Sequence, residues 1–297
     1  MDDKLYLPAG TTSHGPFRVV LTPERAGWTY CGLRVLELPP GGTHTWASGE
    51  DELLILPLAG PAGAAGAAGA AGAATVSCDG ETFELQGRRT VFDRVSDFCY
   101  IPREATVTVS SPGGGTFAVP SARCTRRLPA RYGPAENVPV ELRGAGQASR
   151  QVNNFCAPEA FECDKLIAVE VLTPGGNWSS YPPHKHDEAR AEQEAELEEI
   201  YFFETEGLAY QRVYGTAERP VDVLAEVRSG DVVLIPHGWH GPSIAAPGYD
   251  LYYLNVMAGP AATRAWRFCD DPAHAWIRGT WAGQDIDPRL PMTAEER

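Results

Sequence analysis

Short apolar runs that stop on glycine or proline recur along this chain, and they restrict it to a β architecture. "LRVLELPPGG", "ELLILPL", "TFELQG", "ATVTVSS", "FAVPSA", "LIAVEVLTPGG", "IYFFET", "DVVLIP" and "DLYYLNVMAG" each have strand length and a turn-forming boundary. With 31 glycines and 25 prolines in 297 residues, breakers arrive too often for long amphipathic helices. Strands at this spacing close into sandwiches or barrels. The best helical stretch is "DEARAEQEAELEE", rich in Ala and Glu, which reads as a helical or flexible excursion between two strands.

The series runs twice. In the first half "LPPGGTHTWASGEDELLILPLAG" precedes a segment ending "FCYIPREATVTVSS"; in the second, "LTPGGNWSSYPPHKHDE" leads through "LEEIYFFETEG" to "VRSGDVVLIPHGWHGPSI". Both share a Pro-Gly-Gly turn, a histidine-bearing segment, an acid-led apolar strand and a strand closing on Ile-Pro, which reads as an internal duplication. The expected partition is an N-terminal domain over 1–140 and a C-terminal domain over 150–297, with turn-rich residues 133–149 as linker. The tract "GAAGAAGAAGAA" at 63–74 has glycine at every third place but no imino acid to hold a triple helix. It is expected to be an expanded hairpin tip that carries no chemistry.

Lys plus Arg total 25 against 39 for Asp plus Glu, a formal charge of −14. A field of that sign repels nucleic acid and anionic membrane surfaces, so neither is expected as a partner. No basic-then-apolar leader opens the chain, and no apolar run reaches the ~18 residues of a membrane span. The seven cysteines show no CxxC spacing, as expected of reduced thiols in a cytoplasmic protein.

The densest chemistry lies in "YPPHKHDEARAEQEAELEEIYFFE", residues 181–204. Side chains alternate along a strand, so His184 and His186 project to one face. In "LEEIYFF" the residues Leu197, Glu199, Tyr201 and Phe203 share one face, and Glu198, Ile200 and Phe202 the other. One glutamate can therefore point with the histidines into an aromatic interior. Downstream, "GDVVLIPHGWH" delivers His237 and His240 after a strand and a Pro-Gly turn. Imidazoles with one carboxylate suit a divalent transition metal with positions left open for substrate.

The Gly-Gly turn, HxH, later Glu and Pro-Gly-turn-His resemble the two motifs of the cupin superfamily. More closely, "RQVNNF", "WSSYPPHKHD", "LEEIYFF", "DVVLIPHGWHGPSIAAPGYDLYYLNVMAG" and "DPAHAWIRGTW" resemble the 5-deoxy-glucuronate isomerase family of myo-inositol breakdown. The likeness is looser in the first 140 residues, chiefly "GGTHTWASGEDE" and "DRVSDFCYIP". It implies an all-β chain with two cupin (double-stranded β-helix or jelly-roll) barrels, the C-terminal one binding metal and the N-terminal one degenerate. The implied ligands are His184, His186, Glu199 and His240, holding zinc or manganese, with iron also compatible. Twelve residues separate His186 from Glu199, more than in many cupins, so an acidic loop must bulge out before the strand. The first half keeps His44 but has Trp46 in place of a second histidine, and a second metal site is not expected there.

The resemblance further implies an aldose–ketose isomerase acting on a small sugar acid, 5-deoxy-D-glucuronate, to give 5-dehydro-2-deoxy-D-gluconate. The alternatives are a uronate ketol-isomerase of pectin breakdown, an iron dioxygenase, and a non-catalytic sugar-binding bicupin. Proton transfer between adjacent carbons needs an acid–base group beside the metal. Tyr201, Glu199 and Tyr252 are the candidates, together with Asp187, which could instead orient a ligand histidine. A carboxylate substrate in an acidic protein needs a local cation: Arg212 is the first choice, with Arg150 and Arg267 behind it. Lys185, between the ligand histidines, should face away. Asn255 and Asn153 are candidates for substrate hydroxyls, and exposed sheet edges favour a homo-oligomer.

Overall fold

All nine runs form strands in the computed structural model of the chain, which describes residues 4–60 and 72–293. Most of the 63–74 tract lies outside the described residues.

Each half builds an inner and an outer sheet. The first half's outer sheet orders Gly42–Ala47, Thr106–Ser111, Ala74–Cys78 and Glu81–Leu85; its inner sheet orders Arg131–Gly133, Phe98–Ile101, Asp51–Ala59, Gly115–Arg123, Cys31–Leu38 and Phe17–Leu21. The second half repeats this order with one further edge strand in each sheet, Cys269–Asp270 and Val140–Arg143. Its outer sheet runs Cys269–Asp270, His184–Lys185, Trp239–Ala245, Ala209–Tyr214, Asp222–Val227, and its inner sheet runs Tyr6–Leu7, Val232–Ile235, Glu198–Thr205, Leu251–Ala258, Ile167–Thr173, Arg150–Asn153, Val140–Arg143. The strand order is thus closely similar in the two halves.

One edge strand crosses between the halves. Tyr6–Leu7 pairs with Val232–Val233 in the second half's sheet, whereas Arg131–Gly133, which leads into the second half, pairs with Phe98–Tyr100 in the first. Residues 6–7 therefore sit outside a simple 1–140 unit. Val140–Arg143, within the expected linker 133–149, is an edge strand paired with Arg150–Asn153.

Alternation along each inner strand feeds two cores. Leu53 and Ile55 pack with Val107, Val109 and Phe117 inside the first half, while Leu54 and Leu56 face Ile200, Phe202 and Leu254 between the two inner sheets. Tyr201, Phe203 and Tyr253 pack with Val169 and Val213 inside the second half.

Polar groups between the halves are paired reciprocally. Glu198 accepts from the backbone N–H groups of Thr29, Tyr30 and Cys31 at 2.7–2.8 Å. Its counterpart Glu52 accepts from those of Asp164, Lys165 and Leu166 at 2.6–2.8 Å. Each glutamate thus caps the segment that opens an inner-sheet strand of the other half, Cys31–Leu38 or Ile167–Thr173. Arg88 and Glu170, both fully buried, close a bidentate pair at 2.9 and 2.7 Å.

Candidate metal centre

The segment expected to be helical or flexible is a β-hairpin. Asp187–Arg190 pairs with Glu194–Glu196, and the turn carries Glu192 at φ +62°. Lys185 explains the difference. Facing away from His184 and His186, its ammonium is buried and bonds Asp187 at 2.6 Å and Glu194 at 2.7 Å, tying the hairpin's legs together. This outweighs the modest helix preference of Ala and Glu. The Leu197 N–H donates to the His186 carbonyl at 2.8 Å, closing the hairpin's base. His186 stands at one foot of the bulge and Glu199 just past the other, so the long spacing costs the site nothing.

Two sheets bring the ligand atoms together. His184 pairs with His240 in the outer sheet, and Glu199 lies between Ile235 and Met257 in the inner one. His186 Nε2 and His240 Nε2 lie 3.2 and 3.1 Å from the same Glu199 oxygen, Oε2. All three atoms are buried and none has a hydrogen-bond partner. Buried polar atoms are rarely left so, and three of them converging on one point fit a cation that the protein must supply with ligands. The donor atoms of His186, Glu199 and His240 lie within 4.8 Å of one another, the one such cluster found among the described residues. His184 stands beside this trio with its ring 4.4 Å from that of His240. Its Nδ1 lies 3.2 Å from the Pro182 carbonyl, and donating there leaves Nε2 free as a fourth ligand.

Burial holds His184 and His240 well below the ordinary imidazole range, and the neighbouring imidazoles push the same way. Both are therefore neutral at pH 7, as metal ligation requires. At His186 burial also pulls down, but the Glu199 carboxylate prevails and raises it. His237, the other histidine of the turn, is outside the cluster.

Several sequence candidates fall elsewhere. Tyr252 points into the core between the inner sheets, with Arg88 5.9 Å from its ring, so it cannot reach the centre. Its neighbour Tyr253 faces the site, and sequence reading missed it. The Tyr253 and Tyr201 rings stack at 4.8 Å, and their hydroxyls lie 3.0 and 2.9 Å from Ser180 Oγ. Tyr201 also lies edge-on to His240 at 6.0 Å. Asn255 is opposite Tyr201 in the register and its buried Oδ1 has no partner. Strict alternation in "DLYYLN" would have shown that Tyr253 and Asn255 share a face and Tyr252 does not.

Arg212 is likewise on the outer face, bonded to Asp222 and to the carbonyls of Val213 and Val223. The inward residue of its strand is Gln211, which accepts from Ser243 Oγ. Arg267 is half exposed beside Glu192. Asn153 bonds the buried Glu170 at 2.9 Å, away from the centre. Asp187 touches no ligand histidine; it accepts from the Gly238 N–H at 2.8 Å and so steadies the turn that leads to His240. Arg150 alone of the arginine candidates is buried on the inner side, sharing a face with Val152 of the second-half core.

Residues 5–277 match the KduI/IolB family. The chain belongs to that family. It is 39% identical over 279 residues to a 5-deoxy-glucuronate isomerase of Geobacillus kaustophilus, covering 92% of this chain and 95% of the relative. A 5-deoxy-glucuronate isomerase of Bacillus subtilis is 36% identical over 262 residues, covering 86% and 91%. The crystal structure of an IolB-like protein from Salmonella typhimurium superposes with a TM-score of 0.82 at 35% identity, covering 92% of this chain and 98% of that one. Oxalate decarboxylase from Lactobacillus farciminis shares the fold alone, with TM-score 0.59, 13% identity and coverage of 90% and 88%. The all-β cupin-type fold expected from sequence is the fold observed.

Among the described residues of this KduI/IolB chain, the one candidate cluster lies in the second half. In the first half His44 faces Val109 across the outer sheet, where the second half has His184 facing His240. His44 stacks on Trp46 at 5.6 Å, and both meet Phe17 edge-on, so aromatic packing takes the place of ligands.

Gly241, next to His240, is a sensitive point of the site. Its φ is +97°, and a Cβ there would fall 1.8 Å from the Ser180 carbonyl oxygen. Gly241→Ala is expected to cost at least about 2 kcal/mol and to shift His240, because neither backbone can yield. Thermal unfolding together with metal content checks this: a variant as stable and as metal-loaded as wild type would refute it.

Proposed function

We propose that the chain is a metal-dependent aldose–ketose isomerase that converts 5-deoxy-D-glucuronate to 5-dehydro-2-deoxy-D-gluconate in myo-inositol degradation. The observation that carries this is the buried, mutually unpartnered His186, Glu199 and His240 in a chain whose relatives bear the isomerase name. His184 completes the ligand set. Held by these residues, a divalent ion, zinc or manganese with iron also compatible, would supply Lewis-acid stabilisation of negative charge on substrate oxygens.

The chain's own groups do the rest. The reaction moves hydrogen between adjacent carbons and needs no oxidant, so a hydrogen-bonded proton carrier suffices. Tyr201, tied to Ser180 and lying against His240, is the group placed to exchange a proton with the substrate, and Tyr253 holds Ser180 from the other side. Asn255 offers its unpartnered oxygen to a substrate hydroxyl. Water is held back by the apolar walls of Val213, Phe203 and Tyr253. The seven cysteines are all free, in keeping with a cytoplasmic enzyme, and a homo-oligomer is part of the same reading. Among the described residues no helix is long and apolar enough to cross a membrane.

The test is ketose formation from 5-deoxy-glucuronate by the purified protein before and after chelation. Turnover is expected to fall to background with chelator and to return on adding back zinc or manganese. Unchanged turnover after complete metal removal would refute the metal mechanism.

A further inference from the structure

Resting on the isomerase reading and deepening it, we infer that Arg150 and the C-terminal segment Phe268–Trp281 form the pocket that takes the carboxylate of a sugar-acid substrate. Arg150 is 4% exposed and bonds only through Nη1, to the Ala148 carbonyl at 3.0 Å and the Tyr181 carbonyl at 3.3 Å. No carboxylate pairs with it among the described residues, while nearby Arg143 has Glu141 at 2.7 Å and Arg278 has Asp270 at 2.7 Å. Burial draws the Arg150 guanidinium down to about 10. A buried cation without a counter-charge is expensive, and a protein of net charge −14 has no shortage of carboxylates with which to neutralise it. Leaving Nε and Nη2 unspent keeps a planar fork ready for a carboxylate that arrives with the ligand.

A chain of ring contacts joins Arg150 to the ligand histidines. The His184 ring lies 4.7 Å from Phe268, Arg278 stands 5.5 Å from Phe268 and 5.2 Å from Trp281, and Arg150 lies 5.8 Å from Trp281. The segment is fixed there: Asp270 pairs with His184 and Cys269 with Lys185 in the outer sheet, and the Tyr214 hydroxyl donates to Asp271 at 2.5 Å. A uronic acid carries its carboxylate at the opposite end of the carbon chain from its aldehyde. A cation set to one side of the ligand histidines would hold the far end while the aldehyde end reacts. Trp281, 5.8 Å from Arg150, orients the guanidinium, and Arg278, already neutralised by Asp270, is not itself the clamp.

The experiment compares binding of D-glucuronate and its neutral methyl ester to the purified protein, read by tryptophan fluorescence and by thermal shift. The acid is expected to bind about tenfold tighter or more, with the preference surviving chelation, and Arg150→Gln should remove the preference while leaving ester affinity unchanged. Trp281→Leu should weaken the acid more than the ester. Equal affinity for acid and ester, loss of the preference on chelation, or its persistence in Arg150→Gln would each overturn the proposal. The first two need no variant, so a misfolded Arg150→Gln does not block the test. Turnover of 5-deoxy-glucuronate without an acid preference would sink this pocket and leave the isomerase reading standing; acid preference through Arg150 without turnover would do the reverse.

Discussion

Replacing His186 or His240 with alanine is expected to release the divalent ion and to lower isomerase turnover by at least about a thousandfold, some 4 kcal/mol of transition-state stabilisation. Both imidazoles direct Nε2 at one Glu199 oxygen from 3.2 and 3.1 Å, and no other partner shares them. Removing either leaves Glu199, the other imidazole and His184, one ligand short of the proposed set, which weakens the grip on a divalent ion. His184→Ala is expected to follow them, because its Nδ1 contact with Pro182 leaves Nε2 to the ion. Elemental analysis and steady-state rates on the three variants check this. Full metal occupancy in His240→Ala would refute the assigned centre, whereas full occupancy in His184→Ala alone would reduce it to the three clustered ligands.

The second large effect is on stability. Arg88→Ala is expected to destabilise the fold by about 3–5 kcal/mol, because it strands the Glu170 carboxylate in a fully buried site between the halves. At the usual scaling this lowers the midpoint of thermal unfolding by roughly 10 °C. Burial alone would pull the Arg88 guanidinium down, and the adjoining Glu170 carboxylate reverses that. Asn153 also leans on Glu170 at 2.9 Å, so the loss would spread through the network. Arg88→Met combined with Glu170→Met should recover part of the loss, since a neutral pair needs no counter-charge. Calorimetry of the single and double variants decides, and a single variant within 1 kcal/mol of wild type would show that the pair contributes little.

The nine apolar strands and the shared face of His184 and His186 are legible in the sequence because each has a local cause. Glycine and proline end every apolar run, and an HxH in extended chain puts both rings on one side. Glu199 is set apart from Glu198 by the family resemblance, since parity shows only that the two acids face opposite ways, and the structure gives them opposite tasks, at the cluster and at the amides of residues 29–31. Parity fails as a guide to inside and outside where an inner sheet is covered on both faces. Leu251–Ala258 is buried along its whole length, so nothing in "LYYLNVMA" marks Tyr253 rather than Tyr252 as the one facing the centre.

The sequence by itself therefore determined which segments are strands, how they repeat and which histidines can act together, since these follow from backbone preference over a few residues. Only the tertiary structure decided that Arg150 lies inside and Arg212 outside, that residues 187–196 form a hairpin around Lys185, and that Tyr6–Leu7 serves the opposite half. Each of those outcomes depends on which distant strand arrives alongside, and the burial and charge pairing it imposes outweigh any preference written locally in the chain.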